Sequence, residues 1–299
     1  MTERPDQSPL TSARSERVRK VAALAGRSAR RKQGRFRIEG PQAVRSLLAR
    51  RPDQALEVFL TEPAAGEHPE LVTLARRADV PLRTVDEQIL RALVRDTAAG
   101  DAAGERPASA AQGALVTPQG VVAVGTLPPE DPSAVADALA ALPPAGPATV
   151  VVLHEVRDPG NVGTLLRTAD AAGADLVLLT RTSADPRSPK AVRASAGSLF
   201  HLPVLAGAEI DDVLARLDAA SITAAATSGY ADSELFDVEL PARIAWILGN
   251  EAHGLDEDTL AAAPRRVRIP LAGHAESLNV HTAATVCLFE TLRRRRAGA

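Results

Sequence analysis

The sequence has few aromatic residues, a single cysteine and no long hydrophobic run. Aromatic residues are 2% of the 299 residues, so the core must be built from Ala, Val and Leu. Cys287 lies in an apolar run, where we expect it to be buried, and one thiol excludes an internal disulfide framework. This cysteine content fits a reducing cytoplasm. No apolar stretch reaches transmembrane length, and the basic N-terminus lacks the apolar core of a signal peptide.

Signatures of several common enzyme classes are also missing. The sequence has no G-x-G-x-x-G dinucleotide fingerprint, no G-K-[ST] phosphate loop and no G-x-S-x-G nucleophile elbow. The six histidines are scattered, and no Cys/His pair has the spacing of zinc ligands. His154 lacks the second His of a zinc-protease helix. The sequence therefore gives no support for a Rossmann dehydrogenase, a simple NTPase, an α/β-hydrolase or a metal centre.

The net charge of −2 conceals a strong asymmetry. Residues 1–37 carry eleven basic and three acidic side chains, so the rest of the chain is acidic. A basic segment on an acidic protein indicates a polyanion partner, because neutralising phosphates releases counterions. The alternative is a disordered, soluble tail. Apolar residues at helical spacing between residues 14 and 32 predict a short basic helix.

The order of predicted elements indicates an α/β protein with two domains. We predict a basic N-terminal arm at 1–32 and a small α/β domain at 33–126, with a mobile insertion at 98–113 that has no large apolar residue. A linker with six prolines follows at 127–147 and surrounds a short Ala-rich helix. The second domain, 148–299, is predicted to be a parallel sheet with helical crossovers.

The second domain alternates β-branched runs with amphipathic segments. Predicted strands cover 148–156, 175–180, 202–205, 221–227, 244–250 and 265–270, and predicted helices cover 161–172, 189–198, 209–219, 256–263 and about 277–294. Three polar, Gly-rich junctions follow strands in this pattern, at 158–170, 248–255 and 269–280. Open α/β sheets bind ligands at the carboxyl ends of their strands, so we expect these junctions to converge on one pocket.

Each junction contains side chains that suit a binding site. Asn161 can cap the helix that follows it, and Arg167 can hold a phosphate or a ribose oxygen; the alternative is a capped, solvated crossover helix. Glu251 lies at the mouth of a buried strand, which favours a ligand role, since Asp256 is the better cap for the next helix. Gly249 allows another molecule to approach the backbone, and Gly254 permits a tight turn.

The third junction precedes the last predicted helix. Ser277 and Asn279 flank the start of that helix, where free N–H groups and the positive end of the helix dipole favour an anion. The alternative role for Ser277 is a helix N-cap, which is compatible with a role in the site.

Together, the three junctions resemble the SpoU group of the SPOUT superfamily, the knotted RNA ribose 2′-O-methyltransferases. The resemblance rests on N-x-G-x-x-x-R-T from Asn161, on L-G-N-E-x-x-G-L from Leu248, and on I-P, a Gly loop and S-L-N-V from Ile269. The segment 188–198 is similar to the middle segment of the family. RFRIEGPQAV and TPQGVVAV resemble the edges of its small substrate-binding domain.

The resemblance implies S-adenosylmethionine as methyl donor, a trefoil knot in the second domain, and a homodimer formed through that domain. It assigns substrate positioning and catalysis to Asn161, Arg167, Glu251, Ser277 and Asn279. It implies that backbone groups hold the cofactor around Thr227, Leu248, Gly249, Ile269, Pro270 and Leu278.

The resemblance bears on the roles of Arg167 and His281. The family proposal has the arginine assist deprotonation, but a guanidinium stays protonated in proteins, so we expect Arg167 to stabilise the developing alkoxide or grip the adjacent phosphate. His281 stands where many members have Ser or a small residue, and we expect it to be a packing or dimer-contact residue.

The resulting functional hypothesis is 2′-O-methylation of a ribose in structured RNA, with ribosomal RNA favoured over transfer RNA. The small domain and the basic arm would hold the RNA through phosphate and shape contacts. The alternatives are a tRNA ribose methyltransferase, a non-catalytic RNA-binding protein on the same scaffold, and an unrelated nucleotide-binding α/β protein. The sequence does not identify the target nucleotide.

Overall fold

The computed structural model describes residues 10, 12–95, 119–129, 131 and 133–297. The predicted mobile insertion lies outside the described residues. By its contacts the chain divides into two compact units. The small unit comprises Met1–Pro129 and Arg187–Phe200, and the large unit comprises Glu130–Pro186 and His201–Ala299.

Helices and strands are interspersed along the described chain. Up to residue 129 the elements are α1 (Glu16–Ala22), α2 (Arg27–Gln33), β1 (Arg35–Glu39), α3 (Pro41–Arg50), β2 (Ala55–Leu60), α4 (Glu62–Glu67), α5 (Pro69–Arg77), β3 (Leu82–Thr84), α6 (Glu87–Leu93) and β4 (Val121–Thr126). From residue 131 they are α7 (Ala134–Ala140), β5 (Ala148–Leu153), α8 (Pro159–Ala171), β6 (Leu176–Thr180), α9 (Pro189–Ser195), β7 (Val204–Ala208), α10 (Ile210–Ala219), β8 (Thr223–Thr227), β9 (Ser233–Glu234), β10 (Arg243–Leu248), α11 (Glu257–Ala262), β11 (Arg265–Arg268) and α12 (Val280–Ala297).

The small unit contains a mixed four-stranded sheet in the order β1-β4-β2-β3. β4 pairs antiparallel with β1 and β2, while β2 and β3 are parallel. The unit contains both strands and helices, as predicted for a small α/β domain. Pro41 occupies the first turn of α3, and Asp86 caps α6 by accepting from Ile89 N at 2.7 Å.

The N-terminal segment is folded onto the small unit, whereas it was predicted as a separate arm. Val18, Val21 and Leu24 are buried in one cluster with Phe59 and Leu90. Val18 and Val21 lie on α1 and Leu24 on the short turn that follows it, whereas basic side chains such as Arg19 of α1 and Lys32 of α2 are exposed. The segment docks because burying its apolar side chains stabilises the folded state by about 25 cal/mol per Å² of apolar surface removed from water.

A buried ionic network fixes β1 within the small unit. Arg37 is fully buried and donates from Nε to Glu39 Oε1 at 2.7 Å and from a terminal nitrogen to the Leu93 carbonyl at 2.8 Å. Arg193, on α9, donates to the other oxygen of Glu39 at 2.7 Å. The rings of Phe36 and Phe200 stack with centroids 6.3 Å apart. These contacts assign 187–200 to the small unit, although the sequence boundary placed it in the domain 148–299.

The large unit is a seven-stranded sheet in the order β7-β6-β5-β10-β8-β11-β9, and every pair is parallel. Its central strands are buried on both faces, as expected for a parallel sheet covered by crossover helices. α7, within the predicted linker, buries Val135 and Leu139 in this core. The fold class is therefore α/β, as predicted, and the threading of a knot stays a prediction.

Candidate active site at the carboxyl ends of the strands

The sheet order brings the three predicted junctions to one edge. β5 and β10 are neighbours, and β8 and β11 follow on the same side. Because all are parallel, the loops after them (154–158, 249–256, 228–232 and 269–279) leave from the same edge of the sheet.

Glu251 joins the first two of these loops. Its Oε1 accepts from the backbone nitrogen of Asp158 and from Asn161 Nδ2, both at 3.0 Å, and its Oε2 accepts from the backbone nitrogen of Arg157 at 3.1 Å. Asn161 and Glu251, ninety residues apart, are thus in direct contact. The predicted ligand-binding carboxylate already has three donors inside the chain, so its observed role is to hold two strand-end loops together.

The hydrogen bonds also set the charge state of Glu251. Partial burial alone would raise its pKa, but the Asn161 amide and the backbone N–H groups of Asp158 and Arg157 stabilise the carboxylate. The net result is a pKa below the usual 4.5. Glu251 is therefore ionised at neutral pH and acts as an acceptor.

The loop after β10 closes on itself. Asn250 and Gly254 exchange backbone hydrogen bonds of 2.9 Å in both directions, and the Asn250 amide donates to the Glu155 carbonyl at 3.0 Å. A Cβ on Gly249 would lie 2.6 Å from the Leu255 nitrogen and closer still to Gly254. Gly249 was predicted to admit another molecule, whereas the close approach here is within the loop. Gly254, at φ +70°, makes the predicted tight turn.

The residues just after β5 form a second polar cluster, which sequence reasoning missed. The buried ring of His154 lies 3.3 Å from Thr180 Oγ1 through Nδ1 and 3.3 Å from Asp256 Oδ2 through Nε2. Asp256 also caps α11 through Thr259 N at 2.8 Å, as predicted. The Thr259 backbone hydrogen bond, then those of the Thr259 and His154 side chains, outweigh burial and lower the Asp256 pKa. His154 is 26 and 102 residues from these partners, a separation that leaves no local sequence signal.

Glu155 adds backbone strain at this point. It has φ +56°, in the left-handed region that side chains with a Cβ rarely adopt. Its carbonyl and nitrogen are held by Asn250 and Thr180 Oγ1 respectively. Strained residues of this kind concentrate at functional sites, so the strain supports a site at this edge.

The loop after β11 is much less engaged. Residues 271–277 are exposed, and no backbone nitrogen from Leu271 to Asn279 donates to a backbone carbonyl of the described residues. Asn279 caps α12: its Oδ1 accepts from His281 N and its carbonyl from Ala283 N, both at 2.9 Å. The alternative that Ser277 is the N-cap is wrong, because α12 begins at Val280 and Ser277 lies three residues before it.

Most of the residues predicted to surround the cofactor end a strand or lie just beyond one, and Leu278 lies shortly before α12. Thr227 ends β8 and donates from Oγ1 to the Ile247 carbonyl at 3.0 Å, and Leu248 is the buried last residue of β10. Ile269, Pro270 and Leu278 are half-buried. The part-exposed apolar side chains and the loop amides without backbone acceptors are the groups that an adenosyl ligand requires, so these residues fit S-adenosylmethionine.

Arg167 stands apart from the Asn161–Glu251 pair. It is exposed on α8, six residues and less than two turns beyond Asn161, and it has no hydrogen-bond or ion-pair partner among the described residues. Its neighbour Thr168 is buried and shares a 2.8 Å hydrogen bond with His281 Nε2. His281 thus packs α12 against α8, as expected for a packing residue.

The structure therefore brings Asn161 and Glu251 together. Among the described residues, no hydrogen bond or ion pair connects the side chains of Arg167, Ser277 or Asn279 with that pair. No group of three or more His, Cys, Asp or Glu within the described ranges could hold a metal ion, and no described helix is long and apolar enough to cross a membrane.

Two family models match the chain. The SpoU rRNA Methylase family matches residues 148–289, which contain all three junctions. The RNA 2′-O ribose methyltransferase substrate binding family matches residues 37–99, within the small unit.

Individual proteins agree with these matches. The 23S rRNA (guanosine-2′-O-)-methyltransferase RlmB of Burkholderia sp is 38% identical over 150 residues, which are 50% of this chain and 61% of that protein. The AdoMet-bound rRNA methyltransferase from Sinorhizobium meliloti superposes with a TM-score of 0.76 at 28% identity, covering 97% of this chain and 99% of that one. A crystal structure of an RNA 2′-O ribose methyltransferase gives a TM-score of 0.72 at 30% identity, covering 97% and 100%. The chain belongs to the SpoU rRNA methylase family.

Proposed function

We propose that this protein transfers a methyl group from S-adenosylmethionine to a ribose 2′-hydroxyl in structured RNA, with ribosomal RNA as the target. The observation that carries the proposal is the Asn161–Glu251 contact, which joins two family motifs at the carboxyl edge of a parallel sheet. The names of the Burkholderia and Sinorhizobium relatives support ribosomal RNA. A ribosomal RNA target would place the activity in the cytoplasm.

S-adenosylmethionine supplies an electrophilic methyl group on a sulfonium, and the protein has to bind the donor and orient the sugar. Backbone groups near Thr227, Leu248 and Gly249 would hold the donor from one side. Ile269, Pro270 and Leu278 would provide the apolar surface for its adenine.

Among the polar residues of the site, Arg167 has the most direct chemical role. A 2′-hydroxyl gains negative charge as it attacks the methyl group, and a guanidinium can stabilise this charge or hold the adjacent phosphate. Ser277 and Asn279 lie on the exposed loop and would position the ribose. Asn161 and Glu251 would fix the loops that carry these groups.

The RNA would bind through basic side chains of the small unit. Arg19, Arg27, Lys32 and Arg35 are exposed on or beside α1 and α2, while Val18 and Val21 of α1 belong to the core. This arrangement gives a fixed basic surface that matches RNA phosphates in charge.

We further propose a homodimer formed through the large unit. Phe289 of α12 is 43% exposed, and α12 packs against α8, which carries the exposed Arg167. A partner covering this face would bury Phe289 and bring Arg167 toward the partner's cofactor. Light scattering of the purified protein measures the mass directly, and a monomer at micromolar concentration would contradict this part of the proposal.

The experiment that tests the function combines binding with product mapping. The purified protein is titrated with S-adenosylmethionine by calorimetry, and then incubated with methyl-labelled donor and ribosomal RNA from a strain lacking the gene. Transfer RNA from the same strain is tested in parallel as the alternative substrate. We expect donor binding and one new 2′-O-methyl site in ribosomal RNA. Label in transfer RNA alone would favour the tRNA alternative, and RNA binding without donor binding would favour the non-catalytic one.

A further inference from the structure

Exposed large apolar side chains concentrate at the carboxyl ends of the strands, at the same edge of the sheet as the candidate site. The large unit has four of them among the described residues: Tyr230 (99% exposed), Phe236 (52%), Leu271 (39%) and Phe289 (43%). Phe289 lies on α12. The other three follow the ends of β8, β9 and β11, which are adjacent in the sheet in the order β8-β11-β9. We call Tyr230, Phe236 and Leu271 the apolar rim.

Tyr230 is the most exposed of the three, and its backbone is fixed. Its backbone nitrogen donates to Ser228 Oγ at 3.3 Å, and the Ser228 nitrogen donates to the Val267 carbonyl of β11 at 3.0 Å. The next residue, Ala231, is buried. The turn is thus anchored on both sides of a ring that contributes almost nothing to the core.

The turn that presents Phe236 is fixed by the C-terminal helix. Leu235 is fully buried, and its carbonyl accepts from a terminal nitrogen of Arg294 at 2.6 Å. Arg294 is held in turn by Glu290 at 2.6 Å. Both aromatic rings are therefore displayed on constrained turns, an arrangement that reduces the entropy lost when a ligand binds to them.

The proposed reaction requires a way to select the target nucleotide, and the apolar rim can contribute to this selection. Every RNA nucleotide carries a 2′-hydroxyl, so a ribose methyltransferase must select its target by contacts outside the reacting group. Unpaired RNA bases are commonly recognised by stacking on aromatic side chains, and this contact distinguishes unpaired from paired nucleotides.

We propose that Tyr230, supported by Phe236 and Leu271, stacks on an unpaired nucleobase of the RNA beside the target ribose. The proposal rests on the proposed function, since it names how that substrate is selected. Tyr230 is a substrate-binding residue in this scheme and takes no part in donor binding or in proton transfer. Stacking tolerates any base, so the rim selects unpaired structure and leaves base identity to other contacts.

Kinetic variants test the role of the ring. Tyr230→Ala should raise KM for RNA about tenfold, corresponding to the lower part of the range for loss of one stacked base, with kcat and the Kd for S-adenosylmethionine within about twofold. Tyr230→Phe keeps the ring and should restore KM, whereas Tyr230→Leu keeps apolar bulk without the ring and should not. Equal KM values for the wild-type, Ala and Leu proteins would overturn the proposal.

A spectroscopic measurement reports on the ring itself. The chain has one tyrosine, so 3-fluorotyrosine labelling gives a single ¹⁹F resonance from position 230. A single-stranded RNA oligonucleotide should shift this resonance, and the same sequence as a perfect duplex should leave it unchanged. Equal shifts with both RNAs, or no shift with either, would overturn the proposal. A concentration-dependent shift without RNA would do so too, since it would mean that a second copy covers the ring.

These outcomes distinguish a failure of the proposed role of the apolar rim from a failure of the proposed methyl transfer. A ¹⁹F shift specific to single strands, from a protein that transfers no methyl group to RNA, would uphold the rim and refute the transferase. Methyl transfer with an unperturbed resonance would refute the rim and uphold the transferase.

Discussion

The two halves of the candidate site differ in how completely the folded chain uses their polar groups. In the half formed by the loops after β5 and β10, Glu251 has three donors and Asn250 ties its loop to Glu155. In the half formed by 269–279 and Arg167, Arg167 and residues 271–277 are exposed, and the amides of 271–279 have no backbone acceptor among the described residues. The difference suggests that the first half is a scaffold and that the second binds ligands. Substitutions in the first half should therefore change stability, and substitutions in the second should change activity.

The largest effect is expected at Arg167, in the ligand-binding half. Arg167→Ala removes the one side chain that we assign to the charged transition state, so kcat should fall about 10²- to 10³-fold, the usual effect of losing such a donor. The free energy of unfolding and the Kd for S-adenosylmethionine should hardly change, because Arg167 is exposed. Single-turnover assays and calorimetry measure these quantities.

Arg167→Lys is the matched control, because it keeps the charge and loses the planar fork. Its kcat should lie between those of the wild-type and Ala proteins. A kcat for Arg167→Ala equal to that of the wild type would refute the assigned role.

The next effect is expected at Gly249, in the scaffold half. Gly249→Ala forces a Cβ against the Gly254–Leu255 backbone, so the loop has to shift. We expect a loss of about 1–3 kcal/mol in unfolding free energy, as for overpacked sites, together with weakened donor binding. Gly273→Ala is the control in the other half: its Cβ would have no neighbour within 4 Å. If chemical denaturation gave both variants the same stability, the scaffold assignment would be wrong.

The sequence predicted this site best where chemistry and strand direction agree. Asn161 and Glu251 each follow a β-branched strand, and parallel strands end at the same edge, so their convergence could be expected before the structure. The Asp256 cap followed from helix chemistry alone. The buried Cys287, whose pKa is raised to about 12 by desolvation, followed from the apolar run around it.

Other features could not be predicted, because they depend on contacts between distant segments that leave no local pattern in the sequence. The His154 cluster depends on partners in two other segments, and the fit of Gly249 against Gly254 depends on the path of the whole loop. Assigning the α12 cap to Asn279 required the true start of the helix, three residues after the predicted one. The docking of α1 depends on apolar partners such as Phe59 and Leu90, which lie far along the chain and give no local signal.

Two roles of Asn279, capping of α12 and positioning of the ribose, can be tested separately by two substitutions. Asn279→Ala removes the α12 cap and should cost about 1 kcal/mol of unfolding free energy. Asn279→Asp keeps a capping oxygen, so it should retain stability. If the amide also positions the ribose, turnover should fall in both variants. Full turnover in the stable Asp variant would limit Asn279 to capping.

The smallest effect is expected at Glu251, in the scaffold half, where the contribution of the carboxylate to stability can be measured as a function of pH. Glu251→Gln replaces one acceptor oxygen with a donor amide that faces N–H groups, but the site is exposed and screened, so we expect a loss of only about 0.5 kcal/mol at pH 7. Because the folded pKa lies below the usual 4.5, the stabilisation is present above that value and is lost as pH falls through the folded pKa. The stability gap between wild type and variant should therefore close below about pH 4.5.

Glu276→Gln provides the control for this measurement. Glu276 lies on the exposed loop of the ligand-binding half and has no hydrogen-bond or ion-pair partner among the described residues. Its substitution makes the same change in net charge and should leave the stability–pH curve of the wild type unchanged. Urea unfolding at several pH values separates the two results. If the two variants gave the same curve, the Glu251 hydrogen bonds would add no stability, and the scaffold would have to depend on the Asn250–Gly254 closure alone.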